Sequence, residues 1–190
     1  MKKATFILAA LLCTASLFAQ PKLTKDNIDE VIKAMTLEEK ATLLVGGARA
    51  ATVNGVTSGQ AVGPVEGAAG NTRPIERVGI PMTYLADGPA GLRINPTRQG
   101  TTQTFYCTGF PVGTLLASSW DVDLVQKATA CIGDEVHEYG VDVLLAPGVN
   151  LHRSPLCGRN FEYFSEDPVL SGNMAAAYIK GVQSNNVGTS

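Results

Sequence analysis

No stretch of the sequence concentrates charge of one sign. Across its 190 residues, 15 Lys and Arg stand against 17 Asp and Glu, for a net charge of −2. Nucleic acid, whose recognition begins with a basic surface, is therefore not an expected partner. Aromatic residues are scarce, at 6% with a single Trp, which argues against a series of base-stacking platforms. The two histidines, His137 and His152, lack H-E-x-x-H spacing, and no C-x-x-C pair occurs. Neither a metal site nor a dithiol redox centre is expected. G-x-G-x-x-G and G-x-x-x-x-G-K-[ST] are both absent, so no dinucleotide, phosphate loop or other cofactor is expected. Beyond the first twenty residues no apolar run approaches the ~20 residues that a membrane-spanning helix needs.

What is present suits one loop-rich α/β domain. Apolar residues are 45% and charged residues 17%, with Gly 20 and Pro 10, enough for a packed core and too little charge for a disordered chain. The N-terminus is a separate object. Lys2 and Lys3 precede an apolar run from Phe6 to Leu12, and Ala19 is a small residue before Gln20. This is the pattern of a secretory signal peptide over 1–19, which implies export to the periplasm or the outside and a mature part over 20–190. Cys13 lacks the small residue before it that lipidation wants. The remaining cysteines, Cys107, Cys131 and Cys157, are odd in number. One disulfide with a free thiol is open to an exported chain, while three buried small hydrophobes is the preferred reading.

Residues 24–45 read as helical. Ile28, Val31, Ile32 and Met35 form one apolar stripe, with Thr24 as a candidate cap, and Thr36 with Glu39 is a capping box for a second helix. Residues 46–74 lack periodicity and read as a long loop. Short apolar runs at Gly79–Ala86, Phe110–Ser118 and Val141–Ala146, with a start at Val187, read as strands. Helices are expected over Asp121–Tyr139, apolar on Leu124, Val125, Ala128, Cys131, Ile132 and Val136, and over Asp167–Ser184, apolar on Leu170, Met174, Ala177, Tyr178 and Val182. Alternating strands and helices with near-continuous apolar strands imply a mostly parallel sheet. The strand starts, near 80, 111, 143 and 187, suit about the first half of a (β/α)8 TIM-type barrel behind an N-terminal helical segment. An open doubly wound sheet is the alternative.

In such a fold ligands gather where strands end at their C-terminal side. After the first strand comes Asp87-Gly88-Pro89-Ala90-Gly91-Leu92-Arg93. A carboxylate there can accept from adjacent hydroxyls, held by Arg93 as a fork donor; a turn stabilised by an Asp side chain is an equal reading. After the Val141–Ala146 strand comes a dense polar loop from Pro147 to Pro168, with Arg153, Arg159, Asn160 and Glu162 among its polar groups. Arg159 and Asn160 are donors suited to sugar hydroxyls. Asp167-Pro168 is a good helix start.

The strings ADGPAGLR (86–93), FPVGTLLASSWD (110–121) and LLAPGVNLHRSPLCGRNFEYFSEDP (144–168), with MTLEEKATLL (35–44), resemble the N-terminal barrel of glycoside hydrolase family three, the β-glucosidases and β-xylosidases. The resemblance covers about 22–190. It implies a retaining exo-β-glycosidase that releases terminal β-D-glucosyl residues, with a β-glucoside or oligosaccharide as partner. By the family pattern Asp87 and Arg159 bind the sugar of subsite −1 and Arg93 lies beside them, while Arg153, Asn160 and Glu162 are weaker candidates. His152 is read as a packing residue of the loop. The family's Lys-His pair, its nucleophilic aspartate and its acid/base glutamate have no match in this sequence, and Cys157 departs from the usual residue before Gly-Arg. The expectation is therefore an N-terminal portion of an exported hydrolase, inactive alone and completed by the remainder of a parent chain. A non-catalytic carbohydrate-binding or interaction module built from such a barrel is the alternative.

Overall fold

The computed structural model describes residues 20–47, 49–53, 56–60 and 64–190, the two short segments through their strand pairing. The expected signal peptide over 1–19 lies outside the described residues. The described residues divide into two compact units, one within 20–45 with 73–82 and the other within 46–72 with 83–190.

The first unit contains α1 (Ile28–Ala34), α2 (Leu37–Val45) and a 3-10 turn at Glu76–Val78. Thr24 does not cap α1. Its main-chain N–H donates to Asn27 Oδ1 at 2.7 Å, and Asn27 holds the N-cap position, which starts the helix later than the sequence suggested. Half of the apolar stripe is buried: Val31 and Met35 are covered with Ile75 and Val78, while Ile28 and Ile32 are exposed. The capping box forms as expected. The Thr36 N–H donates to Glu39 Oε2 at 2.8 Å, and the Glu39 N–H donates to Thr36 Oγ1 at 3.1 Å. Glu39 also receives a two-point grip from Arg77, Nε to Oε1 at 2.7 Å and Nη2 to Oε2 at 2.6 Å. Arg77 Nη2 further donates to the Ala34 carbonyl at 2.9 Å, so one guanidinium ties the end of α1 to the start of α2.

In the second unit, β1 (Arg49–Val53) and β2 (Val56–Gln60) form an antiparallel hairpin in which Val53 pairs with Val56. This overturns the loop reading of 46–74. The two residues between the strands are Asn54-Gly55, the strongest short hairpin signal, which the lack of apolar periodicity concealed. A four-stranded sheet follows in the order β3 (Gly70–Asn71), β4 (Tyr84–Asp87), β5 (Val143–Leu145) and β6 (Gly188–Thr189). β3 joins β4 antiparallel, whereas β4–β5 and β5–β6 are parallel. The sheet is thus mostly parallel, as expected, with one antiparallel edge strand, and three of its four strands answer to the expected starts.

The expected strand at Phe110–Ser118 is a helix, α3 (Gly113–Ala117). Its Leu116 N–H donates to Val112 O and its Ser118 N–H to Thr114 O. Leu116 and Ala117 are buried side by side while Leu115 is exposed, a helical rather than an alternating pattern. A short apolar run carries no periodicity long enough to separate the two. α4 (Val122–Glu138) starts at Asp121, whose side chain accepts from the Leu124 N–H at 2.9 Å. α5 (Pro168–Gln183) starts at Asp167, which accepts from the Val169 N–H at 2.8 Å, with Pro168 at the first position. The buried side of α4 is Val125, Thr129, Ile132, Gly133 and Val136. Leu124 and Cys131 stay outside it, because the small Thr129 and Gly133 take the positions where α4 meets α5. On α5, Met174, Ala177, Tyr178 and Val182 are buried as expected. Cys131 and Cys157 are exposed free thiols and Cys107 is half-buried. The reading of three buried cysteines therefore fails for two of them, since their neighbours fill the core first.

Tyr178 is 1% exposed, and its hydroxyl lies 3.2 Å from both the Gly88 and Pro89 carbonyl oxygens. It joins α5 to the segment after β4. Burial holds its proton well above the ordinary phenol range.

Two outcomes follow from this packing. Tyr178→Phe keeps the ring but removes the hydroxyl that reaches the Gly88 and Pro89 carbonyls, leaving Gly88 O with the Gly91 N–H alone. It should cost about 1–2 kcal/mol in urea unfolding without changing the secondary-structure content. Glu39 is drawn from its ordinary 4.5 down to about 2, first by the Arg77 hydrogen bonds and then by the Thr36 N–H. Unfolding returns it to the ordinary value, so its stabilisation is complete above pH 4.5 and lost as pH falls toward 2. Unfolding followed from about pH 6 down to about pH 2 should show this acid loss, and Arg77→Met should show less of it.

Candidate functional site

β4 ends at Asp87 and β5 ends at Leu145, and the two residues are register partners in the parallel pair. Parallel strands send their following loops off the same edge of the sheet. The segment after Asp87 and the loop after Leu145 therefore face a common space, a cleft of about 720 Å³. Asp87, Arg93, Arg159 and Glu162 all line it, together with Phe161 and Ser190, the residue after β6.

The segment after β4 turns tightly. The Gly91 N–H donates to Gly88 O at 3.2 Å, and the Arg93 N–H donates back to Asp87 O at 2.9 Å. Gly91 has φ +108°, and a Cβ there would run into the Thr108 carbonyl, so only glycine fits this turn. Arg93 and Asp87 do not form the expected fork. A single guanidinium nitrogen, Nη1, lies 3.8 Å from Asp87 Oδ2, with the two side chains 81% and 49% exposed. Such a pair contributes little to stability. Both groups keep hydrogen-bonding capacity for a third partner in the cleft, one as acceptor and one as donor.

Glu162 lies on a 3-10 turn at Asn160–Glu162, and Arg159 is the residue that precedes it. Arg159 Nε donates to Glu162 Oε1. Arg159 is 72% exposed in its side chain and Glu162 only 12%, so the guanidinium faces the cleft from a nearly buried carboxylate. That hydrogen bond holds the Arg159 proton above the ordinary guanidinium range. The cleft thus offers carboxylate acceptors and two guanidinium donors, with the exposed ring of Phe161 among its lining.

The two remaining candidates do not line this cleft. Asn160 turns inward, with Nδ2 donating to Ser154 O at 2.8 Å. Arg153 is exposed and faces a separate hollow of about 310 Å³ with Ser154, Cys157 and Tyr163. His152 packs as expected, with its Nε2 at 2.7 Å from the Asn160 carbonyl and its ring against Tyr163. Sequence reasoning missed Phe161 and the supports Thr114 and Tyr178. Thr114 belongs to a run taken for a strand, and Tyr178 was counted only as core. The single usable signal was their polar hydrogen on otherwise apolar elements, which a buried position obliges to find an acceptor.

Residues 32–190 match the glycosyl hydrolase family 3 N-terminal domain. The chain is 44% identical over 165 residues to the thermostable β-glucosidase B of Acetivibrio thermocellus, covering 85% of this chain and 19% of that protein. An exo-α-(1→6)-L-arabinopyranosidase of Bifidobacterium longum is 40% identical over 163 residues, covering 84% of this chain and 19% of that one. The solved structure of β-glucosidase 3B from Thermotoga neapolitana in complex with α-D-glucose superposes with a TM-score of 0.77 at 54% identity, over 86% of this chain and 22% of that one. The chain spans about a fifth of the length of these relatives. By its matched domain, its sequence relatives and its fold, this chain belongs to glycosyl hydrolase family 3.

Proposed function

We propose that residues 20–190 form the first part of a (β/α)8 barrel in an exported retaining exo-β-glucosidase, and that they grip the terminal glucosyl ring in subsite −1. The observation that carries the reading is the meeting of Asp87, Arg93 and Arg159 on one cleft at the C-terminal edge of parallel strands, where barrels of this kind hold their ligands. Glucose presents vicinal hydroxyls. A carboxylate at Asp87 accepts from two of them, and the guanidinium groups donate to ring-hydroxyl oxygens. Retaining hydrolysis needs two further carboxylates, one to attack the anomeric carbon and one to protonate the leaving oxygen and then activate water. In this proposal both come from outside 20–190, because Asp87 is committed to hydroxyls and Glu162 to Arg159. The chain alone binds and does not cleave. Export rests on Lys2, Lys3, the Phe6–Leu12 run and Ala19.

In the full-length hydrolase, Asp87→Ala and Arg159→Ala should each lower kcat/KM for p-nitrophenyl β-D-glucoside by at least about 100-fold, the equivalent of about 3 kcal/mol of charged hydrogen bonding. Kinetics unchanged by either variant would remove that residue from the subsite. Mass spectrometry of the exported protein should show a first residue of Gln20, and a retained Met1 would sink the export reading.

A further inference from the structure

Arg159 projects from a loop, yet a sugar-gripping guanidinium must hold its direction to within a fraction of an ångström to be useful. We propose that Thr114 and Glu162 are the positioning residues that aim Arg159 into the cleft, Glu162 by clamping the guanidinium and Thr114 by pinning the turn that carries both. The inference rests on the subsite reading above and assigns Glu162 a different task from sugar binding.

Two sets of contacts carry it. Glu162 is almost covered, and its Oε1 accepts from Nε of Arg159, three residues earlier on the same turn. Using Nε for this bond leaves the two terminal nitrogens of the planar guanidinium for a ligand in the cleft. A carboxylate that is 12% exposed and already bonded to a cation is poorly placed to bind a hydroxyl itself. The turn is then held from the α3 side. Thr114 Oγ1 lies 2.9 Å from the Tyr163 carbonyl oxygen, 3.1 Å from that of Asn160 and 3.3 Å from that of Phe161. One hydroxyl carries one proton, so the bond to Tyr163 is the principal one and the other carbonyls share its field. Just before it, Gly113 lies so close that an added Cβ would sit 2.5 Å from the Glu162 carbonyl oxygen. The first turn of α3 therefore presses directly on the backbone of residues 160–163. From the other side His152 Nε2 meets the Asn160 carbonyl at 2.7 Å, and Asn160 Nδ2 donates to Ser154 O at 2.8 Å. The turn is fastened at both ends, and the Nε bond to Glu162 orients the guanidinium on it.

The test uses the full-length hydrolase, with p-nitrophenyl β-D-glucoside as substrate and D-glucose as competitive inhibitor. Glu162→Gln and Thr114→Val should each raise KM and the glucose inhibition constant about tenfold, the worth of one weakened charged hydrogen bond. Thr114→Ser, which keeps the hydroxyl, should recover most of what Thr114→Val loses. In an Arg159→Ala background Glu162→Gln should cost nothing further, because residues acting through one another are not additive. Equal losses in both backgrounds would overturn the inference while leaving the subsite reading intact. If Arg159→Ala itself leaves glucose inhibition unchanged, the subsite reading fails and this inference with it. Should Thr114→Val not fold, Glu162→Gln and its double variant decide the matter alone.

Discussion

Parallel pairing of β4 with β5 is the constraint on which the site depends. It sets Asp87 level with Leu145, and both chains leave the sheet at that level in the same direction. Two loops that are some sixty residues apart in sequence thus open onto one cleft. The pairing is anchored at its start by Asp142, whose Oδ2 accepts from the Tyr84 N–H at 2.7 Å while its own N–H donates to Tyr84 O at 3.0 Å. β6 extends the edge, since its Gly188 N–H donates to Asp142 O at 2.7 Å. A slip of one residue would turn every side chain of β4 to the other face and carry Asp87 away from the cleft.

The helices behind the sheet do more than cover it. α5 sends the Tyr178 hydroxyl under the Gly88 and Pro89 carbonyls, and α3 sends the Thr114 hydroxyl under the turn of Arg159. In both cases a hydroxyl on an element with buried apolar neighbours satisfies main-chain acceptors of a functional loop. Leaving those acceptors dry would be costly, so packing and loop conformation are coupled. Rigidity of the two lips follows from the core rather than from contacts between them. Within the segment after β4, Asp87 and Arg93 hold one another only loosely, so both keep free hydrogen-bonding capacity.

The polar devices of the chain differ in how they use charge. Arg77 and Glu39 are bonded at two points and serve local structure, with the carboxyl proton affinity pulled far down. Arg159 and Glu162 share one bond and leave donors over. The same residue types therefore build a staple in one place and a presented cation in another, and the number of nitrogens already engaged separates the two uses.

Much of this was legible in the chain order alone. The capping box at Thr36 and Glu39, the Asp121 and Asp167 helix starts and the buried face of α5 follow from rules that act within a few residues. So does the polar loop after Leu145, too rich in donors and acceptors for a mere connection. The strings around Asp87 and Arg159 carried the family, which residues 32–190 match. Other features depend on partners distant in sequence, and no local rule reports them. The run at 110–118 is short and apolar either way, and only its seat on residues 160–163 makes it a helix. That Glu162 at the cleft bonds Arg159 depends on the fold of the turn they share, and the outward turn of Leu124 and Cys131 depends on burial. Local physics thus wrote most of the elements and named the candidate polar groups, while long-range packing decided which of those groups stand together and which are bonded to one another.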